Sequence, residues 1–257
     1  MTAALRLDGL TRAYGALRAV DGVTLTVRAG ARHALIGPNG AGKSTMFKLL
    51  SGEVRPTDGR IRYFDDDITR HSQPRRVRMG IAQTYQHSSV FMSLTVAENV
   101  ALAAQRAQGI GTVWWRGSAR YADRAAATRE CLTAVGLAER SDDLVSSLSH
   151  GERRQLELAL ALASKPRLLL LDEPTAGMSA TESDAFVQLV KTLPDDLTVI
   201  VVEHDLDVVF SLATDISVLH HGKLLATGTP AEVSADPAVQ EAYLSWSATD
   251  DDLKEIP

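Results

Sequence analysis

The 257-residue chain has a single cysteine, Cys131, so it can form neither an internal disulfide framework nor a multi-cysteine metal site. It lacks a basic excess. Its 27 Lys and Arg against 32 Asp and Glu give a formal charge of -5, which argues against a large nucleic-acid surface. No stretch reaches the roughly 18 unbroken apolar residues of a membrane span. The amino-terminal MTAALRLDGLTRAYG has no long apolar run behind a positive patch, so no secretory signal is expected. Internal repeats, heptad runs and low-complexity linkers are also missing from the sequence. The expectation is a chain of the reducing cytoplasm, doing any membrane work through a partner. What is present is ordinary globular composition, 45% hydrophobic and 23% charged, which excludes wholesale disorder. The length suits one large domain or two closely joined ones.

The hydropathy pattern is α/β with a helical part inserted. Residues 3–9 and 23–28 alternate apolar and polar, the period of half-buried strands, and 31–36 reads as a further strand. A glycine-rich turn and a helix from Lys43 to about Leu50 follow, then a P-T-D-G turn and the strand-like GRIRYF. From about Ser88 to Leu162 the pattern is mostly helical. Thr95-x-x-Glu98 and Ser149-x-x-Glu152 are capping-box signatures, and a helix is expected over Tyr121 to Val135. LELALALA also alternates, but Ala and Leu without β-branched residues favour helix there. RLLLLDE and LTVIVVEH have the uniform apolar character of parallel strands buried on both faces. Helices are expected at about 180–192 and from Asp205 to Ala213. DISVLHHGKLLATG reads as two strands joined at His221-Gly222, and SADPAVQEAYLSW as a last helix before an acidic tail.

Two motifs carry chemistry by themselves. Gly37-Pro38-Asn39-Gly40-Ala41-Gly42-Lys43-Ser44-Thr45 satisfies G-x-x-x-x-G-K-[ST] between a predicted strand and a predicted helix. Its glycines let successive N–H groups turn towards one anion, and the following helix directs its positive end there. Lys43 adds a cation for β- and γ-phosphates, the Ser44 hydroxyl is placed to reach Mg²⁺, and Thr45 can support the phosphate end. The second motif is Asp172-Glu173, at the end of Leu168–Leu171. Ligands of open parallel sheets lie at the carboxyl ends of strands. Asp172 would face the Mg²⁺ of a nucleotide, and Glu173 could polarise the attacking water.

Between these motifs stands LSHGERRQLELALAL at 148–162, with Ser149 lying 23 residues before Asp172. This resembles the signature of ATP-binding cassette (ABC) ATPases, and the resemblance runs over roughly residues 4–246. It implies a P-loop NTPase fold: a mostly parallel core sheet, an amino-terminal antiparallel β part and an inserted helical subdomain. Residues 1–86 and 163–246 would form the RecA-like core, 87–162 the helical subdomain and 247–257 an acidic tail. It further implies a head-to-tail pair of cassettes, identical or paralogous. Each ATP would be sandwiched between one phosphate loop and the other subunit's Ser149, Gly151 and Glu152. Ser149 and Gly151 are expected at a helix amino terminus, itself an anion site. Tyr14, which precedes Gly37 by 23 residues, matches the aromatic that stacks on adenine. Gln86 matches the glutamine that senses Mg²⁺ and water and links to the membrane partner, with Gln83 a nearby rival. His204 matches the switch histidine that contacts the γ-phosphate. His150 and Glu152-Arg153 stand where Gly and Gln are usual, and Ser179 where an acid or Asn is common.

The 80–105 segment and the ending EHDLDVVFSLATDISVLHHGKLLATGTPAEVSADPAVQEAYL are similar to the ATPase subunits of branched-chain amino acid, amide and urea importers. Lipopolysaccharide-export ATPases are a similar group of the same size. The stretch between Gln86 and the signature, with Trp114-Trp115, favours the importers. The resemblance implies integral-membrane permease subunits as partners and, through them, a solute-binding protein. Val90, Phe91 and Met92 are either a docking surface for the permease or buried core. Cassettes that act on ribosomes or DNA usually bring two cassettes per chain or long coiled-coil or basic insertions, which this chain lacks. A degenerate binding module is disfavoured by Lys43, Asp172, Glu173 and His204 being present together.

Overall fold

The computed structural model describes residues 2–84, 90–107 and 119–242. Gln86, Trp114, Trp115, the 247–257 tail, and Gly109 and Gly111, which the sequence pattern gives as the end of the helix opened by Thr95-x-x-Glu98, lie outside the described residues. In chain order the elements are β1 (Ala3–Tyr14), β2 (Leu17–Arg28), β3 (Arg32–Ile36), α1 (Lys43–Ser51), β4 (Asp58–Tyr63), β5 (Asp66–Asp67) and α2 (Gln73–Arg78). Then come β6 (Ile81–Gln83), α3 (Val96–Ala107), α4 (Ala119–Ala134), α5 (His150–Leu162), β7 (Leu168–Asp172) and α6 (Ala180–Lys191). The last are β8 (Thr198–Val202), α7 (Leu206–Leu212), β9 (Asp215–His220), β10 (Lys223–Gly228) and α8 (Pro230–Ala235). Packing divides the chain into two compact units, Met1–Arg76 with Thr198–Pro257, and Val77–Leu197.

The first unit holds two sheets. The antiparallel one runs β2-β1-β4-β5, with inward Leu5, Leu7, Leu10, Val20 and Val23 essentially inaccessible. GRIRYF pairs along β1, Leu5 opposite Tyr63 and Leu7 opposite Ile61, and only the two residues of β5 complete its hairpin. The second sheet places β3 parallel to both β8 and β9, with β10 antiparallel on β9. All five residues of β3 and of β8 are buried, as expected of central parallel strands. The β9–β10 turn has positive φ at both His221 (48°) and Gly222 (78°), the requirement of a tight type I′ hairpin.

The second unit is one continuous stretch. It pairs β6 and β7 in parallel, with Leu168–Leu171 fully buried, and carries α3, α4, α5 and α6. The 150–162 segment is a helix with its full capping box. A short helix not expected from the sequence, α8, precedes the expected final one. Thr229 caps α8 with Pro230 and Glu232, and Asp236 breaks the helix with an extended φ/ψ of -72° and 118°. The Asp236 carboxylate then accepts from the Ala238 N–H at 2.8 Å, starting a new turn at Pro237. Asp236 thus caps the expected final helix, with Pro237 in its first turn, and that helix is described as far as residue 242.

Two buried polar side chains hold the flanks of the glycine-rich turn. Arg76 is 1% exposed and has carbonyls for partners. It donates to Leu49 and Leu50 at the end of α1 (2.6 and 2.8 Å), to Ile68 (2.9 Å) and to His71 (3.2 Å). A cation at a helix carboxyl end complements the dipole, and burial lowers its pKa to about 10. On β3, His33 Nε2 lies 2.8 Å from the Ser217 hydroxyl, which lies 2.9 Å from that of Thr227. Burial lowers the His33 pKa to about 4; Asp215 raises it and Arg28 lowers it by lesser amounts. The folded chain therefore keeps this imidazole neutral while the unfolded chain takes up its proton near pH 6.5. This contribution to stability is complete above about pH 6.5 and declines as pH falls towards 4. Urea unfolding should lose about 3 kcal/mol across that window, and His33→Gln should flatten it; an unchanged slope in the variant would refute the assignment.

Candidate functional site

In the first unit the glycine-rich turn is clamped from outside by other backbone. A Cβ on Gly37 (φ 147°) would sit 2.1 Å from the Leu219 carbonyl oxygen, and one on Gly42 (φ 105°) 2.3 Å from that of Ala19. No side chain fits either place, and both backbone conformations are strained for L residues. Gly222 N–H donates to Ala41 O (2.9 Å), and Asp21 N–H to Gly222 O (2.8 Å), so β2, the β9–β10 turn and the loop are stitched together. Gly40 (φ 78°) faces open space, and Asn39 is exposed. Lys43 is 7% exposed and donates to the carbonyls of Gly37 (2.6 Å) and Pro38 (3.1 Å), which fixes its ammonium inside the loop.

The helix behind this loop has an unusual start. α3, α5, α6, α7 and α8 each open on a side-chain cap. α1 opens on Gly42 with no side-chain cap and no acid in its first turn, and carries Ser44 exposed and Thr45 half-buried. An amino terminus with glycine for a cap leaves its dipole and N–H groups to an external anion. Tyr14 is 44% exposed at the end of β1, with the Arg12 guanidinium 4.4 Å from its ring centroid. That stacking fixes the ring plane while leaving ring surface accessible. His204, just past β8, is exposed. Glu203 behind it is fully buried, and its carboxylate accepts from His204 N–H at 3.2 Å. Glu203 went unread in the sequence, although an acid closing an apolar strand is the same signal that marked Asp172.

In the second unit Asp172 ends β7 half-buried. Glu173 takes a positive φ of 45°, rare for a residue with a side chain, which turns the chain sharply after the strand. Gln83 ends β6 opposite Leu170, and Thr84 N–H donates to Leu170 O at 2.9 Å. Ser149 caps α5. Its hydroxyl accepts from Glu152 N–H (3.2 Å), and Glu152 returns the bond to Ser149 N–H (2.7 Å) while its other oxygen holds Arg140 at 2.6 Å. Gly151 is buried within this first turn. His150 Nε2–H donates to the Ala176 carbonyl at 3.2 Å, which joins the start of α5 to the loop following Glu173. Ser179 keeps a cap at its position with a hydroxyl instead of a carboxylate or amide.

Comparison with known proteins shows the family. The ABC transporter family model matches residues 20–176. The chain belongs to the ATP-binding subunits of ABC transporters. A second family model, the branched-chain amino acid ATP-binding cassette transporter, matches residues 223–244. The chain is 36% identical to the high-affinity branched-chain amino acid transport ATP-binding protein BraF of Pseudomonas aeruginosa, covering 93% of this chain and 97% of that one. It is 34% identical to LivG of Escherichia coli, with the same coverage. It is also 38% identical to the daunorubicin/doxorubicin resistance ATP-binding protein DrrA of Streptomyces peucetius, over 91% of this chain and 68% of that one. Among solved structures, the ABC transporter cassette MJ1267 superposes with a TM-score of 0.82 at 25% identity, over 95% of this chain and 99% of that one. A dimeric post-hydrolysis cassette, MJ0796 bound to ADP and Pi, gives 0.72 at 26%, over 88% and 98%. The chain is accordingly an ATP-binding ATPase of a transporter, with the α/β P-loop fold expected of it. Among the described residues no helix is long and apolar enough to cross a membrane.

Proposed function

We propose that this ATPase energises uptake of a small polar solute of the branched-chain amino acid class, working as a head-to-tail pair on the cytoplasmic face of the membrane. The match of residues 223–244 to the branched-chain family model carries the import reading. Nearly full-length similarity to BraF and LivG supports it. Identity to DrrA favours a second reading, export.

In the proposed chemistry the loop of Gly37, Pro38, Asn39, Gly40, Ala41 and Gly42 wraps the phosphates with its amides, and Lys43 neutralises the β- and γ-groups. Thr45 supports the phosphate end, and Tyr14 stacks on the base. Ser149, Gly151 and Glu152 of the partner cassette close over the γ-phosphate. Glu173 orients and deprotonates the attacking water, and His204, backed by Glu203, meets the γ-phosphate. Ser44 and Asp172 offer the hard hydroxyl and carboxylate oxygens that suit Mg²⁺, and Gln86 joins them. A bound ion would supply positive charge that offsets the charge on the phosphates. Domain roles follow the same proposal, with 1–86 and 163–246 binding ATP, 87–162 carrying the signature and 247–257 a tail.

The permease contact is placed at Phe91 and Met92, which are 59% and 41% exposed. Buried Asn99 pins this turn: its Oδ1 accepts from Phe91 N–H (2.8 Å) and its Nδ2 donates to the Phe91 and Thr95 carbonyls (3.1 and 2.9 Å). Leu94 then leads into a cavity of about 860 Å³ lined by Ala97, Ala101, Leu102 and Leu132. An apolar helix end from a membrane subunit suits such a surface.

Glu173→Gln should lose about 10²–10⁴-fold in hydrolysis and accumulate as an ATP-bound dimer in sedimentation. A strictly monomeric variant in Mg-ATP would contradict the paired arrangement. Phe91→Glu should leave ATP binding intact while abolishing co-purification with membrane subunits and their stimulation of hydrolysis; retained co-purification would move the docking surface elsewhere.

A further inference from the structure

The two helix starts proposed to meet phosphate differ in charge. α1 has no acid in its first turn, whereas α5 has Glu152. One oxygen of that carboxylate accepts from the Ser149 N–H at 2.7 Å, so its charge lies at the amino end of α5. A carboxylate has no proton to donate to a phosphate, and two anions at one helix end repel each other. By itself, Glu152 would oppose the attraction that the α5 dipole offers an incoming anion.

Arg140 supplies the opposite charge. Its Nη1 donates to the other Glu152 oxygen at 2.6 Å, while its Nε donates to the Asp143 carboxylate, which fixes the plane of the guanidinium. A loose surface ion pair would count for little. Here Arg140 and Glu152 are both half-buried, and the backbone following Arg140 is paired with the segment that opens α3. Ala97 N–H donates to Ser141 O (2.9 Å) and Val96 N–H to Asp143 O (3.0 Å). Val145 N–H donates to Leu94 O (3.1 Å) and Ser146 N–H to Met92 O (3.2 Å). A second cation flanks the same cap, since Arg153 donates through Nε and Nη2 to the Leu148 carbonyl (3.0 and 2.9 Å).

We propose that Arg140 is a positioning residue of the signature: it cancels the Glu152 charge, so that the amino end of α5 accepts the partner cassette's γ-phosphate while Glu152 still caps the helix. This rests on the head-to-tail reading above. Glutamine at position 152 would form the same capping box without a charge. With glutamate there, the cap is kept and the chain needs a cation beside it. Arg140 acts through Glu152, so its effect is confined to the step in which a γ-phosphate meets α5.

The test uses the intact chain in the Glu173→Gln background and follows dimerisation by sedimentation velocity against Mg-ATP concentration. Arg140→Met removes the cation and should need about tenfold more ATP for half-maximal dimer. Adding Glu152→Gln, which keeps the capping-box pattern without the charge, should bring the midpoint back to within about twofold of the parent. Glu152→Gln alone should lower it. Mg-ADP has no γ-phosphate, so its calorimetric affinity should be the same in Arg140→Met as in the parent. An Arg140→Met midpoint equal to the parent's overturns the assignment. So does a defect that Glu152→Gln fails to rescue, which is the result expected of a brace lost from the fold. A raised midpoint in Glu152→Gln alone, or a comparable loss of ADP affinity in Arg140→Met, overturns it as well. Failure of the Glu173→Gln parent to dimerise overturns the sandwich reading, and the role of Arg140 with it.

Discussion

The structure depends on a loop whose amides are held open by packing against other backbone. Binding a polyphosphate through N–H groups requires several of them to converge, with no side chain in the way and no internal acceptor at the helix start. Gly37 and Gly42 meet this by pressing directly on the Leu219 and Ala19 carbonyl oxygens, and the Gly222–Ala41 bond closes the ring. Lys43 is held by two loop carbonyls, so its charge is in place before any ligand arrives. Ordering achieved during folding does not have to be supplied again during binding.

Much of the buried polar chemistry of the first unit supports that loop. β3 enters it and carries the His33–Ser217–Thr227 chain, which ties it to the hairpin whose turn clamps Ala41. α1 leaves it and is held at its far end by Arg76, whose guanidinium takes up the last helical carbonyls. A guanidinium among neutral carbonyls sacrifices solvation, visible in its lowered pKa. It gains a fixed geometry that a lysine, with a single ammonium, cannot match. Loop, strand and helix are thus positioned by groups that touch no ligand.

The parts of the fold legible in the sequence were those whose physics is local. The glycine-rich loop needs its residues consecutive, so it is readable as text, and the strand-end acids are marked by the apolar run before them. Capping boxes are equally local, and Thr95-x-x-Glu98 and Ser149-x-x-Glu152 both form. The same pattern at Ser179 and Thr229 went unread: the helix at about 180–192 was expected without its cap, and the short helix opened by Thr229 was not expected. The expected final helix follows it, capped by Asp236. What could not be read joins distant residues. His33 meets Ser217 across 184 positions, Arg76 reaches back 27 to Leu49, and His150 reaches forward 26 to Ala176. A histidine in a signature gives no hint in sequence of which carbonyl it will find. Val90, Phe91 and Met92 lay between two readings; Phe91 and Met92 are exposed and Val90 half-buried, so the buried-core reading falls, and docking stands as the proposal made above.

The most direct test of the central claim is calorimetric titration of the intact chain with Mg-ATP, ADP and AMP, repeated on Lys43→Ala. A loop built to grip a polyphosphate should bind ATP and ADP, give no measurable heat with AMP, and lose at least about tenfold in ATP affinity without the ammonium. Equal affinity for AMP and ATP, or an unchanged ATP isotherm in Lys43→Ala, would show that the base or some other surface holds the nucleotide.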